Sequence, residues 1–294
     1  MAVTNCRTEV VKYLITFPDL IDRGDIEGWT SLHFAASNGH KLILEELIVG
    51  GANRNSTTKK GMTLLHLAAE NGHSESVKYL IEESEMAHCR NGEGWTPMHV
   101  KNGHMNVIRQ LIDNKVDLEE KTNTGDTPLH IAAKFGKVEV VEFIFAHSAL
   151  VDSKNYNNES PLRIAVKHNQ LYTAMELAAR SVDMNADLGE GQTLLHVAVR
   201  NGSTDVLKWL ISAGANHRLT YHRRTPLEHA IFYKHIDVVK ELLALETNTN
   251  FEHLAQFARS CRGIEIADSK YQRHPKNKNS CFCWEFKYFC NKKN

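Results

Sequence analysis

The chain has 294 residues, 42% of them apolar, and a formal net charge of zero. Its first apolar stretch, Val10 to Ile15, is broken by Lys12 and lacks a cleavage-site pattern, and no apolar run approaches the roughly 20 residues that span a bilayer. With six cysteines, four of them from Cys261 onward, a disulfide framework is excluded, and the composition predicts a cytoplasmic protein.

In chain order, the first element is Val10 to Ile15, which reads as the second helix of a pair whose first half is missing. A tetrapeptide then recurs seven times, starting at Thr30, Thr63, Thr96, Thr127, Ser160, Thr193 and Thr225. It ends at His33, His66, His99, His130, Arg163, His196 and Glu228. The starts lie 33, 33, 31, 33, 33 and 32 residues apart. Such a period marks small supersecondary pieces that cannot bury their apolar faces alone and must stack on their neighbours.

Residues 61–93 show the logic of one repeat. Gly61 permits a tight turn, Thr63 can cap a helix, and Leu64 to Ala69 form a short, nearly all-apolar helix. Asn71, Gly72 and His73 end it, since glycine readily takes the left-handed conformation of a helix C-terminus. Val77, Leu80 and Ile81 then give one stripe of a second helix. The polar run from Glu82 to Glu93 contains Asn91-Gly92, a strong turn signal, and is expected to project as a hairpin-like finger.

Three repeats depart from this pattern. The third lacks the Ala-Ala pair that the first, second and fourth carry, so at about 100° per residue the rest of its first helix would be turned by roughly 200°. Either that helix is shortened or unwound, or its stripe misses the stack, and residues 98–104 are expected to be a local weak point. The fifth repeat has Asn158 and Asn169 at the two turn-glycine places, and the seventh has Arg223 and Lys234. Asparagine tolerates the left-handed region better than lysine does, so these repeats are expected to be distorted but formed.

Helix, turn, helix and finger, with a Thr-Pro-Leu-His signature and a period near 33, resemble the ankyrin repeat. The family pattern is met closely by Gly28 to His40, Gly61 to His73 and Gly125 to Lys137, and loosely elsewhere. The resemblance implies an all-α ankyrin-repeat solenoid of helix-turn-helix units with hairpin fingers. A partial repeat over 1–27 precedes seven repeats at 28–60, 61–93, 94–124, 125–157, 158–190, 191–222 and 223–246. A C-terminal capping helix at 247–269 and a disordered tail at 270–294 complete the expected organisation.

Of the 17 histidines, those at the signature and mid-loop places are explained by this scaffold, where the family's signature His hydrogen-bonds backbone between repeats. No metalloprotease, nucleophile-elbow, phosphate-loop or dinucleotide fingerprint is present, so neither catalysis nor a cofactor nor a metal is expected. The resemblance implies partner contacts from the fingers and inner helices. The residue between turn glycine and threonine is a variable contact place, here Trp29, Met62, Trp95, Asp126, Glu159, Gln192 and Arg224. The first three are large and apolar, the others polar. One reading is an apolar anchor region over the first three repeats, because Trp is enriched at binding hot spots; the other is that the tryptophans pack on the next finger. The sixth finger, with Arg218 and Tyr221 among its basic residues, could meet an acidic segment or a phosphate; it also reads as a solvated loop.

Residues 270–294 carry a net charge of +6 and residues 1–269 one of −6. The acidic array argues against a nucleic-acid partner. In the tail, Cys281 and Cys283 among lysines and aromatics fit a lipidated polybasic anchor, the only route to membrane contact, and equally a non-functional extension. The expected function is that of a non-enzymatic scaffold or adaptor binding another protein through a concave surface. The alternatives are a fragment of a larger membrane-associated protein, such as an ion-channel stack or a multi-repeat venom toxin, and the non-catalytic region of a larger enzyme.

Overall fold

A computed structural model describes residues 8–82, 88–99, 101–148, 152–179 and 182–245, together with Leu254 and Phe257. The expected capping helix therefore lies outside the described residues except at those two positions, and the tail lies wholly outside them. The chain divides into two compact bodies, Met1–Ile164 and Ala165–Asn294.

In the first body, α1 (Thr8–Ile15) and α2 (Pro18–Ile21) precede the paired helices α3 (Ser31–Ser37) and α4 (Lys41–Val49), then α5 (Leu64–Glu70) and α6 (Ser74–Glu82). Next come α7 (Met105–Asp113), α8 (Pro128–Lys134), α9 (Val138–His147) and α10 (Pro161–Lys167), within which the bodies divide. First helices pack on first helices (α3 on α5) and second on second (α1 on α4, α4 on α6, α6 on α7, α7 on α9). Leu64, Leu65 and Ala68 of α5 have no exposed surface, nor have Val77 and Leu80 of α6. Burying each of those leucines stabilises by about 1.5–3 kcal/mol, and alanine at the intervening places lets the neighbouring helix approach.

The second body repeats the scheme with α11 (Leu171–Ala178), α12 (Leu194–Asn201), α13 (Thr204–Ser212), α14 (Pro226–Tyr233) and α15 (Ile236–Leu245). Here α12 packs on α14, α11 on α13, and α13 on α15. The left-handed places of the atypical repeats are kept although glycine is gone: φ is +59° at Asn158, +55° at Asn169, +60° at Arg223 and +63° at Lys234. Lys234 still closes α14, its N–H bonding the carbonyl of Ile231 at 3.1 Å. Stacking overrides the local preference of these side chains, so the repeats form, while the turn at Arg223 is altered: His222 is also left-handed at φ +49°, and Tyr221 pairs directly with Arg224.

The third repeat takes the unwound alternative. Among the described residues no α-helix lies between α6 and α7. A turn closed by the His99 amide on the Thr96 carbonyl at 2.9 Å and a second turn at Lys101 and Asn102 stand in its place, ahead of His104, which precedes α7. Amide hydrogen exchange is expected to be faster over residues 98–104 than over α5 and α8, because fewer backbone bonds must open there. Protection equal to that of α5 and α8 would contradict this reading.

Candidate partner-binding site

The signature threonine and histidine form one device. The Thr63 amide donates to His66 Nδ1 at 3.3 Å, and the same bond recurs at Thr30–His33 (3.1 Å), Thr96–His99 (3.0 Å), Thr127–His130 (3.1 Å) and Thr193–His196 (3.2 Å). Because Nδ1 accepts, the proton of the neutral ring sits on Nε2. That proton is donated into the next finger: His66 to the Trp95 carbonyl at 2.8 Å, His99 to Asp126 at 3.2 Å, His130 to Glu159 at 3.0 Å and His196 to Leu219 at 3.0 Å. At His33 the carbonyls of Ser56 and Met62 lie nearby without a well-formed bond to Nε2. Glu228 keeps the capping half of the device, its Oε2 accepting the Thr225 amide at 2.8 Å.

Burial of the His33, His66, His99 and His130 rings pushes each pKa below the ordinary value of 6.5, to about 4 at His99. His196 is also lowered to about 4, by burial and then by the neighbouring His229.

The fingertips of the first body are joined by backbone bonds. Lys59 donates to the Glu27 carbonyl at 2.9 Å, Gly92 to Lys60 at 2.9 Å, Asn123 to Glu93 at 3.0 Å and Tyr156 to Thr124 at 3.1 Å. Histidines and fingertips together hold the loops in fixed register, which places the variable residues.

Trp29, Met62 and Trp95 line one cavity of about 540 Å³ in the first body. All three are half-buried. The Trp29 ring rests on Phe34 at 5.2 Å between centroids, and Trp95 stands 6.1 Å from His99. Both contacts are within a tryptophan's own repeat and leave part of the ring facing the cavity. Leu67 and Pro97 add apolar wall, while Lys60 and Glu93 on the fingertips and the ion-paired Glu70 and Lys101 add charge. Sequence reasoning did not single out these six as contact residues; the signal was there, since Lys60 and Glu93 flank the turn glycines.

The remaining expected contact residues do not line this cavity. Asp126 is occupied locally, accepting from Thr124 Oγ1 at 2.8 Å and from Asn155 Nδ2 at 2.7 Å. Glu159 and Gln192 are only 9% and 6% exposed and offer a partner little area. In the second body the Arg224 guanidinium lies over the Phe232 ring at 4.7 Å and the Phe257 ring at 5.5 Å, and Tyr221 packs 4.0 Å from the His222 ring. Arg218 is exposed. Cys281 and Cys283 lie outside the described residues. Among the described residues no group of three or more His, Cys, Asp or Glu is placed to hold a metal, and no helix is long and apolar enough to cross a membrane.

Family comparisons agree with this geometry. A model of ankyrin repeats in three copies matches residues 32–100, 98–187 and 162–253, and one of ankyrin repeats in many copies matches 1–48. The chain belongs to the ankyrin-repeat family. Human Rabankyrin-5 is 31% identical over an alignment that covers 92% of this chain and 28% of that protein. The Drosophila melanogaster transient receptor potential cation channel subfamily A member 1 is 31% identical, over 65% of this chain and 17% of the channel. The Saccharomyces cerevisiae target of rapamycin complex 2 subunit AVO2 is 33% identical over 43% of this chain and 31% of that subunit. The chain thus spans less than a third of each of these relatives. The crystal structure of the human ASB11 ankyrin repeat domain superposes with a TM-score of 0.62 at 24% identity, covering 75% of this chain and all of that one, which bears on the fold alone. Ankyrin repeats are in general protein-interaction modules and typically non-catalytic.

Proposed function

We propose that this ankyrin stack is a cytoplasmic scaffold or adaptor that holds a partner protein on the Trp29–Met62–Trp95 face of its first body. The observation that carries the reading is that these three residues, each one repeat apart in sequence, open onto a single cavity of about 540 Å³. That volume lies within the roughly 300–1,000 Å³ of ordinary binding clefts, and aromatic and aliphatic side chains accompanied by polar groups that fix orientation are what such clefts use. Half-buried tryptophans keep most of their area rigid, so a partner gains contact without ordering flexible side chains.

The test is a double replacement, Trp29→Ala with Trp95→Ala. Proteins that co-purify with the full chain from cells are expected to be lost or weakened at least tenfold with the double variant. Thermal unfolding of the two forms controls for folding. Unchanged recovery of every co-purifying protein would contradict the reading.

A further inference from the structure

In α5 and α8 the signature histidine is followed by Leu67-Ala-Ala-Glu70 and Ile131-Ala-Ala-Lys134, whereas the third repeat passes from His99 and Val100 directly to Lys101. The cavity lies at this place. One wall is the intact first helix of the second repeat, through Leu67 and Glu70, and the facing wall is Thr96, Pro97, His99 and Lys101, none of which belongs to an α-helix. Two residues are about 3 Å of helix, more than half a turn, and their loss withdraws backbone from the face that the fingers overhang.

Resting on the partner-binding reading above, we infer that the two-residue deletion in the third repeat forms a peptide-binding pocket, whose occupant is an extended segment with an apolar anchor residue between an acidic and a basic one. The anchor follows from the lining: Trp29, Met62, Leu67, Trp95 and Pro97 surround the space with apolar surface. The flanking charges follow from the rim. Glu70 and Lys101 are paired with each other and neutral as a unit. Lys60 and Glu93 are exposed on successive fingertips, Lys60 one repeat nearer the N-terminus. The Gly92 amide, next to Glu93, donates to the Lys60 carbonyl at 2.9 Å, so the two rim charges lie on adjoining fingertips, within the span of about three residues of extended peptide. A segment lying along the stack therefore places its acidic residue at Lys60, its anchor in the cavity and its basic residue at Glu93.

The probe is a phage-displayed library of random dodecapeptides panned on the full chain. Enriched peptides are expected to share an apolar residue between an acidic and a basic one. Exchanging the rim charges, Lys60→Glu with Glu93→Lys, alters only exposed side chains and is expected to reverse the charge order of the enriched peptides. Inserting Ala-Ala between Val100 and Lys101 restores the 33-residue spacing and is expected to weaken the wild-type peptides at least tenfold, with circular dichroism checking that the helices remain. No enrichment, a charge order indifferent to the exchange, or equal binding by a folded insertion variant would each overturn the inference. Peptides that need Trp29 and Trp95 yet ignore both the exchange and the insertion would leave the broader reading standing while this one fails.

Discussion

Stability is expected to be full above pH 6.5 and to fall progressively as the pH drops toward about 4, the loss beginning before the carboxylates are protonated. In each signature repeat Nδ1 must stay unprotonated to accept the threonine amide, and the ring is buried, so the folded state disfavours the imidazolium. Unfolded histidines titrate near 6.5, folded His99 near 4, so between those values the unfolded chain binds more protons and acid favours it. At His99, which is 3% exposed, the full shift corresponds to something on the order of 3 kcal/mol. His33, His66, His130, His196 and His229 are shifted in the same direction. Urea midpoints measured between pH 7.5 and 5 check this. A flat profile would mean that the histidines are not held neutral by the fold, and a His99→Gln variant should show a shallower one.

A second large loss is expected from Gly61→Ala. Gly61 sits at φ +72°, and a Cβ there would lie 2.8 Å from the Gly92 amide nitrogen, the group that donates to Lys60 in the fingertip ladder. Left-handed strain alone is tolerable, as Asn158 at φ +59° and Arg223 at φ +60° show at the matching place. The added cost comes from backbone that cannot swing aside, so the change should destabilise by about 2–4 kcal/mol, against about 1 kcal/mol for left-handed strain by itself. Chemical denaturation distinguishes the two; a loss below about 1 kcal/mol would mean that the fingertips separate easily.

What was legible in the sequence is the local part of this arrangement. Threonine three residues before histidine, ahead of an apolar run, marks a helix start whichever repeat stands next, so the periodicity located both helices of most repeats. The absent Ala-Ala pair likewise marked the third repeat as the place where the first helix is shortened or unwound or else misses the stack. Contacts between repeats were less visible. Gly72 reads as a helix stop, yet it also faces the next repeat's mid-loop ring: a Cβ there would lie 2.6 Å from His104 Nδ1. Nothing within one repeat announces that neighbour.

The same limit applies to the contact residues. Position in the motif brings Trp29, Met62 and Trp95 onto one cavity, but it cannot tell whether a side chain at the equivalent place is turned inward, as at Glu159 and Gln192. It also cannot show that Arg224 is laid over Phe232, because that partner comes from the following helix. A cavity arises from what is missing between two repeats, and only their packing reveals it.

The central claim, that the Trp29–Met62–Trp95 face holds a protein partner, is tested most directly by site-specific photo-crosslinking in cells. A photoreactive residue placed at Met62 should form a discrete adduct of higher mass that disappears when Trp29 and Trp95 are both alanine. The same residue at Glu139, exposed on the second helix α9, should form none. Equal crosslinking at Glu139 and Met62, or a Met62 adduct indifferent to loss of both tryptophans, would contradict the account.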